Sequence, residues 1–234
     1  MPLLTVPAPD LSRVQREPRG AWLDPVMARI GIGCQPDDAG LVVRVSASGG
    51  VAVSRIHLRW RRAVPEGALF LGDAWERSYG DLSWQPLRAE SVHPWMVLVH
   101  SPGGSTWGAG VDVRGGSFAD WTVDPCGVSL WLDLRAGADP VLLGDRVLAS
   151  ATVRWVEGSD GPFATQCALA SAVCRDPLPV GPLVGANNWY YAYGRDFDAD
   201  AVVRDARTIA ELVGDHPVRP FGVVDDGWSV DGTA

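Results

Sequence analysis

Lysine is absent from the 234 residues: all 20 basic side chains are arginine. Glutamate is scarce as well, since 22 of the 28 acids are aspartate, the turn-former and not the helix-former. A formal net charge of −8 argues against a nucleic-acid binder, which needs a basic face to release counterions. The densest basic stretch, Arg59, Arg61 and Arg62 around Trp60, is short and reads as a solvated strand end. Four cysteines (Cys34, Cys126, Cys167 and Cys174) keep neither CxxC nor zinc-knuckle spacing, and they read as buried free thiols. No run approaches the ~20 apolar residues of a membrane span. The first twenty residues, MPLLTVPAPDLSRVQREPRG, lack a basic start and a continuous apolar core, so they do not read as a signal peptide. These absences lead to the expectation of a cytoplasmic protein with neither nucleic acid nor membrane as partner.

What is present is a globular composition, 47% hydrophobic and 21% charged, unusually rich in Gly (27), Pro (18) and Trp (11). The length suits one or two domains with a real core. From about Ala28 to Ala170 the pattern has period two. Ile56, Leu58 and Trp60 alternate with His57 and Arg59, and Val128, Leu130, Leu132 and Leu134 alternate with Ser129, Trp131 and Asp133. Gly49-Gly50, Pro102-Gly103-Gly104 and Asp124-Pro125 are among the breakers between such runs. Short alternating strands with turns at this rhythm predict an antiparallel β-sandwich over 28–174, after an N-terminal lead segment, 1–27.

A proline-rich joint, 175–182, separates this half from a segment of different period. Asp198 is placed to N-cap a helix reaching about Val213, with Val202, Val203, Ala206, Ile209, Ala210 and Val213 on one face, Asp200 in the first turn and Gly214 at its end. Leu183 to Ala186 before the helix and Pro220 to Val224 after it read as strands, the second apolar enough to be buried on both faces. Residues 183–234 are therefore expected to hold one right-handed βαβ unit.

Working residues in parallel α/β architectures stand at the carboxyl ends of strands. Those places hold Asn187-Asn188-Trp189-Tyr190 and Asp225-Asp226-Gly227-Trp228. Carboxylates accept charge-assisted hydrogen bonds from hydroxyls, and aromatic rings cover apolar faces, which is the composition of a sugar site. Taken alone, the carboxylate pair suits Mg²⁺ or Ca²⁺ equally well, and Asp-Gly is also an ordinary turn. The four histidines, His57, His93, His100 and His216, are scattered without a nucleophile elbow and read as surface or structural residues. Gly31-Ile32-Gly33 lacks the third glycine of a dinucleotide fingerprint.

The motifs NNWYYAYG (187–194) and FGVVDDGW (221–228), one βα unit apart, resemble the start of the catalytic barrel in the melibiase-like α-galactosidases, the retaining, family 36-like enzymes of glycoside hydrolase clan D. LGDAWERSYGDLSW (71–84) is similar to a segment of the β-sandwich that precedes that barrel. The resemblance implies a β-sandwich followed by the beginning of an α/β (TIM-type) barrel, acting on an α-galactoside oligosaccharide. Asp225 and Asp226 would bond hydroxyls of the galactosyl ring in the −1 subsite, Trp189 and Tyr190 would line it, and Trp75 of the sandwich segment would reach over it. Trp228 stands between pocket wall and packing residue. No metal or cofactor is implied, and a homo-oligomer is an open option for the full-length parent.

The retaining reaction needs two further carboxyl groups, roughly 5–5.5 Å apart, which the resemblance assigns to no residue here. A complete barrel takes about 250 residues, and about fifty follow the joint. The sequence is therefore expected to be an N-terminal piece of a longer glycosidase, without glycosidase activity of its own. The alternative is a non-catalytic carbohydrate-binding or assembly module in which the sandwich works alone.

Overall fold

A computed structural model describes residues 5–37, 40–47, 49–74, 82–112, 117–135, 138–143, 147–174, 181, 183–193 and 196–225. The chain divides into two compact units, Met1–Asp176 and Pro177–Ala234. The first unit opens with β1 (Leu11–Gln15), β2 (Trp22–Leu23), β3 (Ile30–Asp37), β4 (Gly40–Ala47) and β5 (Ala52–Val53). It continues with β6 (Arg55–Arg61), β7 (Leu69–Gly72), β8 (Gln85–Pro86), β9 (His93–Pro94) and β10 (Met96–His100). Then come β11 (Thr106–Val111), β12 (Phe118–Asp124), β13 (Gly127–Asp133), β14 (Val141–Leu142), β15 (Val147–Gly158) and helix α1 (Pro162–Val173).

One sheet runs β2-β1-β6-β13-β12-β9 and a second runs β3-β4-β15-β11-β10-β7-β8, each antiparallel between neighbours. Alternation decides which side chains meet between them. Ile56, Leu58 and Trp60 of β6 and Leu130 and Leu132 of β13 share one buried cluster with Val43 and Val45 of β4, Val97 and Val99 of β10, and Val153 and Trp155 of β15. The Leu58–Leu130 register keeps these residues on one face. Trp60 stands 6.0 Å from Trp121 and 6.2 Å from Trp155, ring centre to ring centre, so aromatic bodies fill the middle of the sandwich. β1, within the segment read from sequence as a lead, pairs along its whole length with β6, and its Val14 is fully buried.

The alternation does not continue to Ala170 as the sequence suggested, because residues 162–173 form α1. Small, apolar and polar residues are mixed around this helix, so it carries no stripe at helical spacing. Its seat explains it. Residues of the second sheet that point away from the sandwich core, Leu71, Leu98 and Val156, form a separate cluster with Leu169 and Val173 of α1. Between them β11 offers Gly108 and Gly110, where an added Cβ would stand 2.9 Å from Leu169 Cδ2 and 2.6 Å from Val173 Cγ1. The two glycines form the groove into which the helix packs, and all six residues of β11 are buried as a result.

Charges on the sheets are paired. Arg59 lays both terminal nitrogens on Asp124 at 2.8 Å, which holds that carboxyl below its ordinary range. Arg154, only 1% exposed, forms a bidentate pair with Asp112, Nε to Oδ1 and Nη2 to Oδ2, both 2.8 Å. His57, read from sequence as a surface or structural residue, takes a structural place. It is buried because Trp131, its cross-strand partner, stacks on it with 3.9 Å between ring centres and 5° between planes, while Trp22 meets both rings edge-on. The cysteines are free thiols, but only Cys34 is partly buried, and the other three are exposed. Among the described residues, no helix is long and apolar enough to cross a membrane.

Candidate functional site

In the second unit, β16 (Gly185–Asn187) and β17 (Phe221–Val223) pair in parallel, with Gly185 opposite Phe221 and Asn187 opposite Val223. Helices α2 (Trp189–Ala192) and α3 (Ala199–Val213) lie between them in sequence. Local chemistry sets the limits of α3. The Asp198 carboxylate accepts from Ala201 N at 2.7 Å, Asp200 sits in the first turn, and Gly214 follows at φ +54°. The first strand starts two residues later than the sequence suggested. The expected burial of the second is not observed, since Phe221, Gly222 and Val223 are all exposed. A two-stranded sheet has neighbours enough for neither its edges nor both its faces.

Parallel pairing places both strand exits at one end, and there the polar groups converge. Asn187 Nδ2 donates to Asp225 Oδ2 at 2.7 Å, and Asn187 Oδ1 accepts from Trp189 N at 2.7 Å. Asp225 N donates to Asn188 Oδ1 at 2.8 Å, and Asn188 N donates to Val223 O at 3.3 Å. The two asparagines therefore clamp the Asp225 carboxylate from one side and its backbone from the other. Asn188 is 5% exposed, and its Nδ2 is buried with no hydrogen-bond partner. A buried amide donor of this kind is costly unless something accepts from it.

A cavity of about 390 Å³ adjoins this cluster. Asn187, Asn188, Tyr191, Asp205 and Thr208 contribute its polar lining, and Val202, Ile209 and Val224 are among its apolar lining. The Tyr191 hydroxyl bonds the Asp205 carboxylate and so ties α2 to α3. Of the residues singled out from sequence, Asp225 belongs to the cluster. Trp189 joins it through its backbone, while its ring stands 5.9 Å from that of Tyr193. Tyr190 is 82% exposed and lines no part of the cavity. Asp226, Trp75 and Trp228 lie outside the described residues. The sequence reading named Asn187 and Asn188 but gave them no role. The signal was there, because these adjacent residues are the only asparagines in the chain. The Tyr191–Asp205 bond had no signal in spacing. Among the described residues, no three His, Cys, Asp or Glu side chains gather as a metal-holding group.

These features define a chain with an antiparallel β-sandwich and a parallel βαβ unit whose polar side chains meet at the carboxyl ends of its strands. Among solved structures it is similar to an alpha-galactosidase from Thermus thermophilus in complex with stachyose, at 15% identity and a TM-score of 0.37 over 85% of this chain and 41% of that one. It is also similar to an alpha-N-acetylgalactosaminidase from Bifidobacterium bifidum in complex with GalNAc, at 11% identity and a TM-score of 0.42 over 92% of this chain and 45% of that one. A GH36 alpha-galactosidase from Geobacillus stearothermophilus in complex with raffinose has 16% identity and a TM-score of 0.41 over 94% of this chain and 37% of that one. The chain spans less than half the length of each. No family model and no curated protein matches it.

Proposed function

We propose that this chain carries the sandwich and the first βαβ unit of a retaining, α-galactosidase-like glycoside hydrolase acting on α-linked galactosides. In this reading the sandwich takes β1 and β2 of the first 27 residues into its first sheet and runs to 174, 175–182 is the joint, and 183–234 begin a (β/α)₈ barrel. Asp225 and Asp226 bind galactosyl hydroxyls in the −1 subsite, with Trp189 and Tyr190 offered as aromatic contacts. The reading assigns binding, and no covalent chemistry, to these residues. The nucleophile and the acid/base belong to residues outside the matched motifs, and the 234-residue chain is proposed to be without turnover.

The observation that carries this reading is the clamp on Asp225. A carboxylate whose Oδ2 accepts from the Asn187 amide is held in a fixed orientation. Beside it stands the unpartnered donor of Asn188. A fixed acceptor next to a waiting donor suits a sugar hydroxyl, which does both at once. Isothermal titration with methyl α-D-galactoside and its glucoside epimer tests the reading. The galactoside is expected to bind at least tenfold more tightly, and Asp225→Asn to lose that preference. Equal binding of the epimers, or an unchanged preference in Asp225→Asn, contradicts it.

A further inference from the structure

The tryptophans of the first unit show where a second ligand would sit. Trp60 Nε1 donates to Pro7 O at 2.8 Å, Trp121 Nε1 to Trp95 O at 3.0 Å, and Trp131 Nε1 to Thr122 Oγ1 at 2.9 Å. Trp155 is 4% exposed, and its Nε1 is buried with no partner. An indole N–H only donates, so the group it lacks is an acceptor.

Trp155 lines a cavity of about 350 Å³ at the edge of the sandwich, together with Pro7, Asp10, Trp60, Arg61 and Arg62. The volume is at the small-ligand end of the range for binding pockets. Two of its acceptors already hold a donor. Asp10 Oδ2 accepts from Arg61 N at 2.6 Å, and Pro7 O is taken by Trp60. Its donors are in surplus. The Arg61 guanidinium has no partner among the described residues. The Arg62 guanidinium stands over the Trp107 and Trp155 rings, 4.8 and 5.5 Å from their centres, and touches Glu157 through Nη2 alone, at 2.8 Å.

We propose that this cavity is a binding site for a small organic carboxylate with one apolar face. The carboxylate accepts from the Trp155 N–H and from the guanidinium groups of both Arg61 and Arg62, and the apolar face rests on Trp60 and Pro7. The Arg62 guanidinium, placed over the Trp155 ring, exchanges Glu157 for the incoming carboxylate. Donor surplus, a fixed buried N–H and a movable guanidinium make the site selective for an anion over a neutral sugar.

The test follows the indole N–H signals of the ¹⁵N-labelled full chain while D-galacturonate, D-galactose or inorganic phosphate is added. Trp155→Phe identifies the Trp155 signal and keeps an aromatic ring in the core, and the other indole signals report whether the fold persists. The Trp155 signal is expected to shift saturably with galacturonate, and the affinity to fall about tenfold in Arg61→Gln. Galactose and phosphate are expected to leave the signal in place, since one lacks the charge and the other the apolar face. A Trp155 signal indifferent to galacturonate, or one that follows galactose or phosphate equally well, overturns the proposal, as does an Arg61→Gln chain with undiminished affinity.

Discussion

Acidification is expected to unload stability from the sandwich through His57. Its ring is 7% exposed, stacked on Trp131, with Nε2 buried and unpartnered. Burial, reinforced by the positive charges of Arg13 and Arg59, lowers its pKa from 6.5 to about 4. The unfolded chain takes up a proton as pH falls through 6.5, while the folded chain does not until about 4. In that window the unfolded state binds more protons, so stability is full above 6.5 and is lost on the way down. Two and a half units at 1.36 kcal/mol each give a loss of about 3 kcal/mol at or below pH 4, of which about 2 kcal/mol is gone by pH 5. The assay is urea denaturation at half-unit steps from pH 7.5 to 4, followed by tryptophan fluorescence, since nine of the eleven tryptophans precede residue 177. His57→Phe keeps a ring against Trp131 and removes the titration. The difference between wild type and variant cancels the other acid-sensitive groups, such as His93, whose pKa burial also lowers. A wild-type minus variant difference that stays flat from pH 6.5 to 4 would refute the reasoning.

Three further outcomes follow from packing, charge and capping. Gly110→Val is expected to cost at least 2 kcal/mol, because the new Cβ stands 2.6 Å from Val173 on a seated helix, whereas Gly50→Val, with open space around its Cβ, should cost far less; thermal denaturation compares them. Asp112→Ala leaves the Arg154 charge buried without its bidentate partner and is expected to cost about 3–5 kcal/mol, whereas Arg154→Met, which removes that charge, should cost less; chemical denaturation of both variants checks the order. Asp198→Ala removes the cap on Ala201 N and is expected to destabilise α3 by about 1 kcal/mol, read as faster amide exchange over 199–203 with exchange in the sandwich unchanged.

Much of this was legible in the sequence where periodicity is local. The alternations of β6 and β13 marked the core-facing rows of one sheet, and Asp198, Asp200 and Gly214 bounded α3. What escaped did so for identifiable reasons. An alanine-rich helix without a polar face cannot be told from its neighbours until the Gly108–Gly110 groove beneath it is seen. β1 owes its place to pairing with β6 forty or more residues away, and no local pattern records a partner. His57 alternates like a surface residue, yet a cross-strand tryptophan buries it. In the candidate site, the two strand-end motifs were readable as motifs, but the roles of Asn187 and Asn188 depend on parallel register, which puts Asn187 opposite Val223 and so within reach of Asp225.

Asn187, Asn188 and Asp225 are proposed to form part of a galactosyl-binding subsite. With only two asparagines in the chain, their side-chain NH₂ signals are separable, and Asn187→Asp assigns them. Titration of the ¹⁵N-labelled chain with methyl α-D-galactoside is the direct measurement. The Asn188 NH₂ pair, with its nitrogen buried and unpartnered in the free protein, is expected to shift saturably with the galactoside and much less with the glucoside. An Asn188 pair unmoved by either sugar, or moved equally by both, contradicts it.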